Sequence, residues 1–181
     1  RYYQADPISP CEKCGCTDFN ISIVWKPRLR LCTDFGRFDN TLHWQYWPRY
    51  HRRPEARGEI ADVMSSVGAC FFMPRRRFFD IGGLDEAHGF WGQFGTEISC
   101  KSWLSGGRQV VNKRTWFAHF FRVGKSPLTM KFPYPISAEA QERAREYSRD
   151  LWFNNKWKPA IYPLQWIVDK FAPVRGWHEG A

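Results

Sequence analysis

A chain of 181 residues, 43% hydrophobic and 18% aromatic, suits one domain or the larger part of one, and its apolar mass excludes a disordered polypeptide. The formal charge of +9 favours an anionic partner: nucleic acid, a nucleotide diphosphate, an acidic polymer or a membrane surface. No stretch of about 18 apolar residues is present and the opening RYYQADPISP lacks the pattern of an export signal, so the expectation is a cytoplasmic protein with no membrane span.

From the N-terminus, C-E-K-C-G-C brings Cys11, Cys14 and Cys16 together, and the strand-like FNISIVW leads on to Cys32. Thiolates at this spacing can converge on one ion where a glycine permits a tight turn, and Cys32 could close a tetrahedral structural zinc site. The second C-x-x-C of a full ribbon is missing, so reduced cysteines or another fourth ligand stay open. The remaining pair, Cys70 in an apolar run and Cys100 in a helical segment, read as small buried hydrophobes of a reducing compartment.

TLHWQYWPRY, residues 41–50, alternates like a half-buried strand ended by Pro48. HRRPEARGEIA is a basic, turn-rich loop. Residues 67–73 form a continuous apolar run, the pattern of a buried central strand, and PRRRFFDIGG predicts a short helix stopped by glycines. TEISCKSWLSGG reads as a helix with Ile98, Cys100, Trp103 and Leu104 apolar, followed by strands at RQVVN and TWFAHFF. Past a proline-punctuated connector, Ser137 is a good N-cap for a helix with Ala140, Ala144, Tyr147 and Leu151 at helical spacing, and PLQWIVDKF predicts a last short helix. Ten Trp, fifteen Phe and seven Tyr exceed the needs of a core this size, so some rings are expected to line a groove where sugars or bases stack.

The run G-x6-R-x2-F-x3-G-G-x-D-E from Gly68 to Glu86, then W-G, W-L-S-G-G-R and N-K-x-T-W-F-A-H, resembles the second half of family-2-like nucleotide-sugar glycosyltransferases with a GT-A fold. Around Trp91 it is similar to polypeptide N-acetylgalactosaminyltransferases, and the motif set as a whole resembles a group found in bacteriophage and environmental genomes. The resemblance implies an α/β fold, the C-terminal portion of a GT-A domain. It divides the chain into a cysteine-knuckle segment at 1–36, a catalytic and acceptor-side portion at 37–125 and a helical extension at 126–181.

It also implies roles. His119 matches a late metal-binding histidine that holds manganese or magnesium against the donor diphosphate. Glu97 matches an acidic position that serves as base or sugar-hydroxyl anchor, although a glutamate in a first helical turn is equally a dipole-favoured residue. Asp85 and Glu86 match a loop facing donor sugar and acceptor, Trp91 and Gly92 a sugar-stacking element, and Arg122 a diphosphate-neutralising cation.

Two departures accompany the match. Phe94 and Gly95 stand where family-2 enzymes carry an acidic pair, and neither D-x-D nor D-x-H occurs. With Arg1 in place of an initiator methionine, this suggests that an N-terminal nucleotide-binding half is missing or supplied separately. The expected partners are a nucleotide-sugar donor and a glycan, protein or nucleic-acid acceptor. A basic, aromatic-rich nucleic-acid-binding module and a non-catalytic scaffold are the alternatives.

Overall fold

The computed structural model of the chain describes residues 10–17, 34–89, 91–117 and 137–178. They mix helix and strand. Strands β1 (Gly36–Phe38) and β2 (Trp44–Tyr46) pair antiparallel with Gly36 opposite Tyr46, and β3 (Ile60–Asp62) pairs with β4 (Val110–Asn112) with Ile60 opposite Asn112. Helices α1 (Arg75–Asp80), α2 (Phe94–Leu104), α3 (Ala138–Phe153) and α4 (Leu164–Lys170) complete the regular structure.

The β1–β2 hairpin turns on one carboxylate. Asp39 Oδ1 accepts from Thr41 N at 2.9 Å and His43 N at 3.1 Å, and Oδ2 accepts from Gln45 Nε2 at 2.7 Å. These bonds satisfy turn donors that the short ladder leaves over, and they hold fully buried Leu42 at a φ of 59°. Gly36 sits where the hairpin meets the next segment: Ser65 N donates to its carbonyl at 3.1 Å, and a Cβ there would lie 2.6 Å from Ser65 O.

Helix α2 is the centre of the fold, buried on every face from Gly95 to Leu104. A helix buried all round needs unusually close neighbours, and Gly95 supplies one approach: a Cβ on it would lie 1.9 Å from the Ser66 carbonyl oxygen. The indole of Trp103 donates to Val63 O at 3.1 Å, and α4 packs alongside with Ile167 and Val168 buried. One apolar cluster gathers Phe35, Phe38, Leu42, Met64, Cys100, Trp103, Leu104, Trp152, Ile167 and Val174. The last described segment is tied back to the first strand, with Trp177 Nε1 donating to Phe38 O at 3.1 Å and Arg37 Nη1 to Arg175 O at 2.6 Å.

Helix α3 starts where its N-cap places it: Ser137 Oγ accepts from Ala140 N at 3.0 Å. Its buried stripe is Ala144, Ser148 and Trp152, one position round from the stripe expected at Ala140, Ala144, Tyr147 and Leu151. That rotation turns Tyr147 towards the loop before α2, where it makes a polar contact in place of an apolar one.

The apolar run at 67–73 is a correction. No strand forms there, and Phe72 is 96% exposed. Among the described residues no hydrogen bond reaches the backbone of residues 69–73, and without a neighbouring ladder an apolar segment has nothing to become a strand against. Of TWFAHFF, residues 115–117 carry no regular structure, with Trp116 and Phe117 half exposed, and the rest lies outside the described residues.

Candidate active site

The sequence-selected acids converge at the N-terminal end of α2. Its first turn carries Glu97, which is 2% exposed. Glu97 Oε1 accepts from Asp85 N at 2.7 Å and lies 2.7 Å from Lys101 Nζ, one helical turn on. Lys101 Nζ, equally buried, also donates to Gly83 O at 2.9 Å. The carboxylate and ammonium are thus removed from water as a pair, and together they fasten the G-G-L-D-E loop to the helix. Glu97 Oε2 lies 3.3 Å from Nδ1 of His88, which is 3% exposed.

Asp85 caps the short 3-10 turn Glu86–His88, its Oδ1 accepting from Ala87 N at 3.0 Å. Its Oδ2 accepts from Tyr147 Oη at 2.6 Å, which joins the loop to α3. Burial would raise the Asp85 carboxyl, but the bonds from Tyr147 and Ala87, with His88 and Lys101 nearby, outweigh it and hold it below the ordinary range. The same bond, helped by burial, pushes the Tyr147 phenol up to about 12. Burial lowers the His88 imidazole more than Glu97 and Asp85 raise it, so the ring is neutral near pH 7.

The His88 ring stands edge-on to Tyr147 with centroids 4.8 Å apart and stacks on Trp152 at 6.3 Å. Neither of its nitrogens has a hydrogen-bond partner among the described residues, and the same holds for Ser148 Oγ and Trp152 Nε1 on the adjoining stripe of α3. Buried polar atoms are nearly always bonded, so this set stands out, as do Gln93 Oε1 and Thr96 Oγ1 around the start of α2.

Above His88 a cleft of about 220 Å³ opens against α3, lined by Ala87, Gly89, Trp91, Gln141, Arg143 and Ala144. Trp91 is 49% exposed beside it. Gly92, at a φ of 107°, places its backbone against Gln141, and Glu86 stands exposed on the turn. The arrangement offers a ring face, an amide and a guanidinium over a rigid, buried polar base.

Asp85, Glu97, Trp91 and Gly92 therefore share one neighbourhood. His119, Arg122 and Cys32 lie outside the described residues. His88, Lys101 and Gln141 were not singled out from sequence, and Tyr147 was named there only as part of an apolar helical stripe. Only the i, i+4 spacing of Glu97 and Lys101 was a legible signal for any of them.

Among the described residues no three His, Cys, Asp or Glu side chains come together as metal ligands. At the knuckle, Cys11 N donates to Cys16 O at 3.0 Å and Gly15 N to Cys11 O at 2.7 Å, closing a tight turn with Cys14 and Cys16 exposed. Hydrogen bonds from the Lys13 and Cys14 backbone, and then from the Cys14 thiol, lower the Cys11 thiol. Without Cys32 these described cysteines do not by themselves make a zinc site.

In the basic loop after β2, Arg53 is packed while Arg52 and Arg57 stand exposed. The Arg53 guanidinium lies 4.7 Å from the Trp47 ring centre and 5.2 Å from that of Tyr50, donates to Phe171 O at 2.8 Å, and both rings are buried. An aromatic ring committed in this way presents no face to a nucleic-acid base.

No family model matches the chain, and no solved structure matches it. The chain is similar to probable N-acetylgalactosaminyltransferase 8 of Caenorhabditis elegans, 33% identical over 112 residues that make up 61% of this chain and 26% of that protein. It is also similar to probable N-acetylgalactosaminyltransferase 9 of the same organism, 29% identical over 92 residues, 49% of this chain and 16% of that one. The match thus spans about a quarter or less of each relative, and these likenesses support a glycosyltransferase.

Proposed function

We propose that the chain is the acceptor-side portion of a GT-A, family-2-like glycosyltransferase that moves a sugar from a nucleotide diphosphate to an acceptor hydroxyl. The observation that carries this reading is the Glu97 carboxylate holding the Asp85 amide beneath a tryptophan-edged cleft, in a stretch that resembles sugar transferases. A pyranose ring has an apolar face and a hydroxylated rim. Trp91 offers a surface for the first, Gln141, Arg143 and Glu86 polar groups for the second.

In this reading Glu97 is a positioning residue. Both of its oxygens face interior groups, so it sets the loop's shape and leaves contact with the acceptor hydroxyl to the exposed Glu86 or to Asp85. N-acetylgalactosamine is the proposed sugar, by analogy with the relatives' names. A uridine diphosphate donor is proposed on the family resemblance, with its nucleotide held outside the Trp91 cleft.

A manganese or magnesium ion at His119, with Arg122 beside the diphosphate, belongs to the same proposal. Among the described residues no ligand set for the ion comes together. Incubation with UDP-N-acetylgalactosamine and manganese, with release of UDP as the readout, tests the reading. Turnover that falls with chelator and with His119→Ala is expected. Absence of turnover together with a steep salt dependence of oligonucleotide binding would favour the basic-module alternative.

A further inference from the structure

A second cleft, of about 470 Å³, lies at the other end of α2, lined by Asp62, Trp103, Gly107, Arg108, Tyr162 and Trp166 with Lys170 at its edge. At 1.5 Å rise per residue, the seven helical positions from Glu97 to Leu104 set the end of α2 roughly 10 Å from the Glu97 network.

One wall is aromatic and fixed. Tyr162 and Trp166 stack at 4.4 Å with their planes 8° apart. The segment before α4 is pinned to the end of α2, with Ile161 N and Tyr162 N both donating to Leu104 O, at 2.7 and 3.1 Å. The Trp103 ring between the two helices is anchored by its bond to Val63 O. Such rings keep their orientation without any ligand, so little side-chain entropy remains to be lost on binding.

The other wall is a polar edge of one carboxylate and two cations. Asp62, at the end of β3, pairs with Arg108 Nε through Oδ1, and its Oδ2 lies 3.2 Å from Lys170 Nζ. Lys170 Nζ also rests 5.0 Å from the Trp103 ring centre. The carboxylate offsets one of the two positive charges and so weakens the pull on a phosphate. It offers neutral hydroxyls both acceptor and donor atoms side by side.

We infer that this cleft is a pyranose-binding subsite, with sugar C–H groups against the Tyr162–Trp166 wall and vicinal hydroxyls on Asp62 and Arg108. The inference rests on this geometry and does not require that the chain transfer sugar.

Saturation-transfer NMR with methyl α-N-acetylgalactosaminide and methyl β-glucoside is the test, on the wild-type chain and on Tyr162→Ala and Asp62→Asn, each checked for an unchanged circular dichroism spectrum and melting point. Transfer to the ring protons is expected, weakened roughly three- to ten-fold in Tyr162→Ala, the worth of one aromatic contact. Binding of UDP-N-acetylgalactosamine at the Trp91 cleft should survive Tyr162→Ala, so failure here is separable from failure of the transferase reading. Absent saturation transfer, signals equal in all three proteins, or displacement of the glycoside by inorganic phosphate would overturn the subsite. Asp62→Asn provides the independent arm should Tyr162→Ala unfold, with the same loss expected from a change that keeps size and shape.

Discussion

The backbone amide of Asp85 donates to Oε1 of Glu97 across 2.7 Å, so the loop that faces the cleft is held by a carboxylate sealed inside the protein. Because Lys101 sits 2.7 Å from the same oxygen, the loop and a buried charge pair share one atom. Removing that carboxylate strands an ammonium and an amide in the interior. Glu97→Ala is therefore expected to destabilise the chain by about 3–5 kcal/mol in chemical denaturation, the usual cost of breaking a buried pair from one side. Glu97→Gln should also destabilise, and Lys101→Met in the Glu97→Gln background should recover part of the loss. A cycle in which the two changes simply add would show that the pair is not coupled.

Stability should depend on pH through the same loop. A histidine held below its ordinary value in the folded state stabilises above the unfolded value of about 6.5, and that contribution fades as pH falls and the folded ring protonates. Asp85, also lowered, adds a loss at more acidic pH, below its unfolded value of about 3.9. Tyr147 has the opposite sign: its phenol, pushed up to about 12, favours the fold up to an unfolded value of about 10, and the benefit is lost as pH rises towards the folded one. Melting temperatures measured between pH 5 and 11 should fall at both ends. In His88→Gln the decline between neutral pH and about 5 should flatten, and an unchanged acid limb would detach His88 from it.

Gly95→Ala probes the closest approach in the fold. A methyl group 1.9 Å from the Ser66 carbonyl cannot be housed unless α2 or the 66–68 backbone shifts. A loss of about 1–3 kcal/mol is expected, because neither neighbour is a flexible side chain. A melting point equal to wild type would mean that α2 sits further from Ser66 than described.

Phe72→Ser makes the contrary case. With its side chain 96% exposed, Phe72 contributes little to this fold, and the substitution should change stability by no more than about 0.5 kcal/mol in either direction. A loss several times larger would reveal a contact beyond those among the described residues.

The helices were legible from local signals: Ser137 for the start of α3, the glycines after α1, the apolar spacing of α2 and α4. Burial that depends on partners was not. Residues 67–73 have the composition of a central strand, but strand formation requires a neighbour's backbone, which no apolar run can encode by itself. At the site, the carboxylates and Trp91 were visible as motif positions. The inward turn of Glu97 was hidden because α2 buries its polar face as well as its apolar one, and His88 was passed over because an isolated histidine beside acids announces neither a buried ring nor a cleft above it. Tyr147 counted as part of an apolar stripe until the helix proved to be rotated by one position.

The proposed transferase site needs a sugar of the nucleotide donor against Trp91, over the His88–Glu97 network. Titration of the wild-type chain and of Trp91→Ala with UDP-N-acetylgalactosamine, followed by isothermal calorimetry, tests it most directly. Saturable binding that weakens about ten-fold without the indole is expected, within the range one stacking ring contributes. Equal affinity in the two proteins, both folded, would contradict it.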